Sequence, residues 1–131
     1  IESFYNKMQT QLNLYPIWFL PMKNMRNNQS IFAAPDHLDH EKDNKHLCNI
    51  GAYGIPKIKN YDFIKENKEL ENLLTEHGGR KVFYSHAFYT NDEFYNKIYN
   101  GNRYNELRKK YDAITYFPSI TDKIITKNGK L

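Results

Sequence analysis

The sequence carries a single cysteine, Cys48, among 131 residues. One thiol excludes an internal disulfide framework and any zinc site built from several cysteines. Glycine and proline are also sparse, at six and five. No Gly-rich strand-to-helix turn of the dinucleotide or P-loop type occurs. The nearest string, Gly51-Ala52-Tyr53-Gly54, runs into Ile55-Pro56 instead of a helix, so the chain offers no recognisable nucleotide cradle of its own. Long apolar runs are missing too. The longest, Tyr15 to Met22, is interrupted by Pro16 and Pro21 and falls far short of the roughly 20 residues a membrane-spanning helix needs. Nor is there a dense basic run. Nineteen Lys+Arg against fifteen Asp+Glu leave a formal +4, too mild for a dedicated nucleic-acid binder.

Aromatic residues are what the chain has in quantity: eleven Tyr and eight Phe lift them to 15%, enough to build a core. The length suits one domain rather than two, and residues 1–131 are expected to form a single one. The first residue is Ile1 rather than Met, and it falls inside an amphipathic pattern. The chain is therefore expected to be a piece of a longer protein.

Ile1, Phe4, Tyr5, Met8 and Leu12 recur at helical spacing and predict a first helix running to about Leu14. Pro16 ends it, because proline disfavours the α region at the preceding residue. Ile17-Trp18-Phe19-Leu20 reads as a short buried strand closed by Pro21. Residues 24–45 have no useful period and read as a long surface loop. A strand resumes over 46–53, with Gly51 and Gly54 marking close backbone approach. Phe63, Ile64, Leu70, Leu73 and Leu74 predict a helix capped by Asn60 or Asp62 and stopped by Gly78-Gly79.

From Arg80 to Phe88 the period becomes two. Val82, Tyr84, His86 and Phe88 are expected on one face, with Phe83, Ser85 and Ala87 on the other. Thr90 and Glu93 form a capping box that opens a helix through Phe94, Ile98 and Tyr99, ending at Asn100-Gly101. A further helix begins near Arg103 and breaks at Phe117-Pro118, and the tail from Lys123 reads as frayed. The result is an α+β fold, a small antiparallel sheet with helices packed mainly on one face.

Three chemistries are weighed first and set aside. His37 and His40, with Asp36, Asp39 and His46, gather potential ligands, yet no second preorganised pair follows and no metal is expected. Cys48 lies in an apolar strand, where a thiol is inert. Tyr104, Arg108, Lys109, Lys110 and Tyr111 mix basic and aromatic residues as single-strand platforms do. Helical spacing, however, puts Tyr104, Leu107 and Tyr111 inside and Arg108 to Lys110 outside. This is a solvated basic face, and no nucleic-acid partner is expected.

What remains is Tyr84 with His86. Two apart on a strand, they would project to one face about 7 Å apart. A phenol and an imidazole side by side could donate protons to a substrate in an apolar pocket. Such pairs also simply pack and bond to neighbours, and spacing leaves both readings standing.

Several strings add to this. Tyr15-Pro16-Ile17-Trp18-Phe19-Leu20-Pro21 resembles the Y-P-(L/I)-W-L-C-P stretch of delta(24)-sterol reductases, flavoproteins of the vanillyl-alcohol-oxidase type. Asn49 to Gly54 resembles their D-(I/V)-G-(A/V)-Y-G. Gly78 to Thr90 resembles G-G-R-K-x-L-Y-A-H-T-Y-Y-T, with Asp92-Glu93-Phe94 in place of E-E-F. Tyr104 to Tyr111 resembles Y-x-x-L-R-x-K-Y, and Phe117-Pro118 with Asp122-Lys123 resembles F-P-x-x-x-D-K. The blocks keep the family's order.

The resemblance implies a C-terminal portion of the family's cap domain, which shapes a substrate pocket over a flavin. FAD would be held mainly by an upstream domain of the same parent chain, and NADPH would be the reductant. The substrate would be a sterol-like or other apolar small molecule with a side-chain alkene. Tyr84 stands at the family's L-Y-A tyrosine and is the candidate catalytic proton donor or pocket residue, with His86 beside it. Leu20 stands where the family commonly has cysteine, and no chemistry is assigned there. The alternative is a non-catalytic interaction or assembly module derived from such a cap.

Overall fold

The computed structural model describes residues 1–23 and 46–125. The expected 24–45 loop, with His37 and His40, lies outside the described residues. Helix α1, Glu2–Asn6, continues as a π-helical turn over Lys7–Gln11. It stops short of Leu14, where Asn13 adopts φ 45°. Met8 and Leu12 are buried as the stripe predicts, whereas Ile1 is exposed. Lys7, also buried, reaches across to helix α2, Phe63–Glu76, where its Nζ lies 2.6 Å from Glu69 and 3.3 Å from Glu66.

Strands β1, Ile17–Lys23, and β2, His46–Ala52, pair antiparallel with Ile17 opposite Ala52 and Lys23 opposite His46. The expectation of a short buried strand ending at Pro21 is corrected. The strand runs through Pro21, and Trp18, Phe19, Leu20 and Met22 are exposed. Both members of a two-stranded sheet are edges, where proline is tolerated, and neither face of this ribbon is fully covered. Gly51 faces Trp18 in the register, and a Cβ there would lie 2.1 Å from the indole Cζ2. The glycine makes room for the ring.

Helix α2 begins where Asp62 accepts a hydrogen bond from the Lys65 amide at 3.0 Å. It ends in a Schellman motif: Gly78 takes φ 68°, the Gly79 amide donates to Leu74 O at 2.8 Å, and the Gly78 amide donates to Thr75 O at 2.9 Å. Both ends follow the sequence reading.

The third strand expected over 80–88 does not form. Phe83 and Tyr84 make a turn, and one isolated parallel bridge joins Ala87 to Ile125. Ala87, Phe88 and Tyr89 are buried in succession, which no two-residue period produces. Side chains satisfy the main chain instead of a neighbouring strand. The Lys81 ammonium donates to the His86 carbonyl, and the Phe88 amide donates to the Glu71 carboxylate.

The capping box at Thr90 forms as read, with the Thr90 amide 2.8 Å from Glu93 Oε2 and the Glu93 amide 3.2 Å from Thr90 Oγ1. It leads into a π-helical segment, Glu93–Ile98. Asn100 then opens helix α3, Gly101–Lys110, by accepting from the Arg103 amide at 2.9 Å. Short helices α4, Ala113–Tyr116, and α5, Ile120–Ile124, follow. Lys123 is helical and Ile124 is buried, so the frayed tail cannot begin at Lys123; residues 126–131 lie outside the described residues.

The main core gathers Ala87, Tyr89, Phe94, Ile98, Tyr99 and Ile124, with Phe83 and Tyr95 packed against it. The described chain is a small α+β domain of five α-helices and a two-stranded antiparallel sheet. Among the described residues no helix is long and apolar enough to cross a membrane.

Candidate functional site

The segment from Gly79 to Thr90 places the candidate residues. Phe83 turns inward, its ring 4.8 Å from Tyr99 and 5.2 Å from Phe94. The next residue therefore turns outward, and Tyr84 is 74% exposed. His86 is half-buried at the foot of the turn, its ring 5.9 Å from Phe88. Its Nε2 is buried with no hydrogen-bond partner among the described residues. The pair does not share a pleated face as the spacing suggested. The turn gives Tyr84 solvent and His86 an interior edge.

Both ends of this turn are fixed. Glu71 of α2, only 4% exposed, places Oε1 2.6 Å from Lys81 Nζ and Oε2 2.9 Å from the Phe88 amide. Burial lifts its carboxyl above the ordinary carboxylate range, while Lys81 and the Phe88 amide pull it back down. The Tyr99 hydroxyl donates to the Lys81 carbonyl at 3.0 Å, and the Ala87 amide donates to Ile124 O at 2.7 Å. Burial, with the Glu71 charge adding to it, pushes the Tyr89 phenol up to about 12. Tyr89 thus keeps its proton as a core residue, whereas Tyr84 presents its O–H outward.

Glu71 is the residue of this candidate site that the helical pattern does not reveal. No period distinguishes it from an exposed glutamate, since its partners come from other segments.

The second set of candidates is rearranged. Tyr104 is half-buried, stacks on Tyr95 at 5.5 Å, and accepts the Ile120 amide at 2.9 Å. Burial acts to raise its phenol, but the Ile120 amide, Ser119 and Arg108 together hold it below the ordinary tyrosine value. Arg108, expected outside, is half-buried and donates to the carbonyls of Ala113, Phe117 and Pro118. Tyr111, expected inside, is 69% exposed. Of the mixed basic-aromatic string, Tyr104 and Arg108 clamp the chain after α3, while Lys109 and Lys110 are exposed as expected.

Cys48 is half-buried, its Sγ directed to the Asn49 carbonyl at 3.7 Å. Among the described residues no group of His, Cys, Asp and Glu could hold a metal ion.

The space between Phe83, Phe94, Tyr95, Tyr99 and Tyr104 amounts to about 10 Å³, the limit for one water. It does not fit a flavin ring. What the segment offers chemically is a phenol held outward on a tethered turn.

Comparison with known proteins adds the context. The chain is 27% identical to the human Delta(24)-sterol reductase and 30% identical to that of Rattus norvegicus, each over 126 residues. These matches cover 95% of this chain and 23% of the relative. The Arabidopsis thaliana Delta(24)-sterol reductase is 26% identical over 131 residues, covering 92% of this chain and 23% of the relative. The chain thus spans about a quarter of the length of the curated relatives it matches. No family model and no solved structure matches it. In sequence, then, this chain is similar over nearly its whole length to the C-terminal portion of delta(24)-sterol reductases.

Proposed function

We propose that this chain is the substrate-side portion of a flavin-dependent reductase acting on a sterol-like molecule with a side-chain alkene. FAD, reduced by NADPH, belongs in this reading to polypeptide outside the described residues and supplies the hydride. This chain contributes apolar surface and an acid. The Tyr84 O–H would give its proton to one alkene carbon as a hydride from the reduced flavin reached the other, so that a C=C bond would become a saturated CH–CH pair.

The observation that carries the reading is the placement of Tyr84. It stands in the segment that resembles G-G-R-K-x-L-Y-A-H-T-Y-Y-T, exposed along with Val82 and Ser85, while the half-buried Phe83 beside it packs inward. A tethered turn limits the orientations a phenol samples, which is what proton transfer to a bound substrate requires. His86 is the second residue of the proposal. Its Nε2, without a hydrogen-bond partner among the described residues, could meet a polar group that closes over the foot of the turn.

The test uses the full-length parent. It should purify yellow, bleach with NADPH, and regain colour on addition of a sterol bearing a side-chain alkene. A colourless parent that converts no sterol would overturn the reading and favour a non-catalytic assembly module instead.

A further inference from the structure

We propose that Glu71 is a positioning residue for Tyr84, acting through Lys81 and the Phe88 amide. This rests on the reading of Tyr84 as proton donor, and it extends that reading to a residue that touches no substrate.

The geometry is a two-point tether. One carboxylate on the 14-residue helix α2 holds the turn at its start, through Lys81 Nζ at 2.6 Å, and at its end, through the Phe88 amide at 3.2 and 2.9 Å. The same ammonium donates to the His86 carbonyl and so closes the 81–86 loop on itself. Phe83 fixes the middle against Tyr99 and Phe94. With both ends and one side chain held, Val82, Tyr84 and Ser85 are the exposed residues between them.

Stability alone does not account for this arrangement. Burying a carboxylate carries a desolvation penalty, and a well-packed apolar pair of the same volume serves a core as well or better. An ion pair with two directed hydrogen bonds adds what apolar packing lacks, a fixed orientation of the main chain it holds. The Glu71 carboxylate is aimed at the two ends of the turn that carries the exposed phenol.

Two variants test this: Glu71→Gln, and Glu71→Gln combined with Lys81→Met, which leaves no lone charge in the interior. In the chain itself, amide hydrogen exchange over residues 82–88 should quicken by about tenfold or more, while α2 and the π-helical segment keep their protection. In the full-length parent, kcat should fall about tenfold or more with KM for the sterol little changed. Added to Tyr84→Phe, the same change should cause no further loss.

Unaltered exchange over 82–88 in both variants would overturn the proposal, as would losses that add to that of Tyr84→Phe. If exchange quickens but Tyr84→Phe leaves turnover intact, Glu71 still holds the turn and the proton-donor reading is what fails.

Discussion

The hairpin and the helical region use their large apolar side chains in opposite ways. In the helical region Phe94 is 3% exposed, with Tyr99, Tyr95 and Phe83 rings 4.5, 5.0 and 5.2 Å away. Each ring there removes its neighbours from water. In the hairpin, Trp18, Phe19, Leu20 and Met22 remain exposed on strands held by a seven-pair ladder. Two-stranded ribbons are marginal alone, and contiguous exposed apolar surface marks an interaction site more often than a free one. Aromatic content alone therefore says nothing about where a core lies. One region has its partners within the described chain; the other, with Phe19 5.8 Å from Tyr5 and Trp18 over Gly51, still leaves much of its apolar surface outward.

The sharpest way to break that contrast is to delete a ring from the packed region. Phe94→Ala should cost about 3–5 kcal/mol of unfolding free energy, read from urea denaturation. A loss below about 1 kcal/mol would mean the cluster is not the stabilising core it resembles.

Glu71→Ala comes next. It leaves Lys81 in the interior without its carboxylate and the Phe88 amide without its acceptor. About 3 kcal/mol should be lost, and Glu71→Ala with Lys81→Met should recover part of it. Equal instability in the single and double variants would contradict the ion-pair account.

At the hairpin the expected effect is small. Leu20 is 55% exposed, so Leu20→Ser should shift stability by no more than about 0.5 kcal/mol. A large loss in the same denaturation experiment would show that the ribbon's apolar side chains already do structural work within this chain.

The smallest effect is in pH. The Thr90 amide hydrogen bond, opposed by partial burial, holds the Glu93 carboxyl below its ordinary 4.5. Its contribution is therefore complete above that value and is lost as pH falls through the depressed one. Glu71 runs the other way, because burial raises its carboxyl. Only the pH-dependent part of its contribution follows that shift: it is fullest at low pH and declines as pH rises through the raised value, while the contacts to Lys81 and the Phe88 amide persist in the ionised form. Glu93→Gln should flatten the acid limb of the stability profile, whereas an unchanged limb would remove Glu93 from the account.

Much of the local architecture was legible because it depends on near neighbours. Gly78 is demanded by the left-handed residue after α2, Asp62 by the helix start, and Thr90-x-x-Glu93 by reciprocal capping. Ser119-x-x-Asp122 carries the same signature for α5 and could have been read in the same way. The 80–88 segment could not. Its β-rich composition points to a strand, but Lys81 with Glu71 spans 10 residues and Glu71 with Phe88 spans 17. Glu71 bound to the Phe88 amide, and the Lys81 ammonium it holds bound to the His86 carbonyl, satisfy main-chain groups that a ladder would otherwise use. Tyr84 as a residue was visible in the string it shares with the reductases. Its outward direction became visible only once Phe83 was seen to turn inward against Tyr99 and Phe94.

The most direct test of the account is turnover of a sterol with a side-chain alkene by the full-length parent carrying Tyr84→Phe. There kcat should fall by about a hundredfold or more, with flavin content and thermal stability as in the unaltered protein. Turnover equal to that of the unaltered protein would contradict it and leave Tyr84 as an exposed residue without a chemical task.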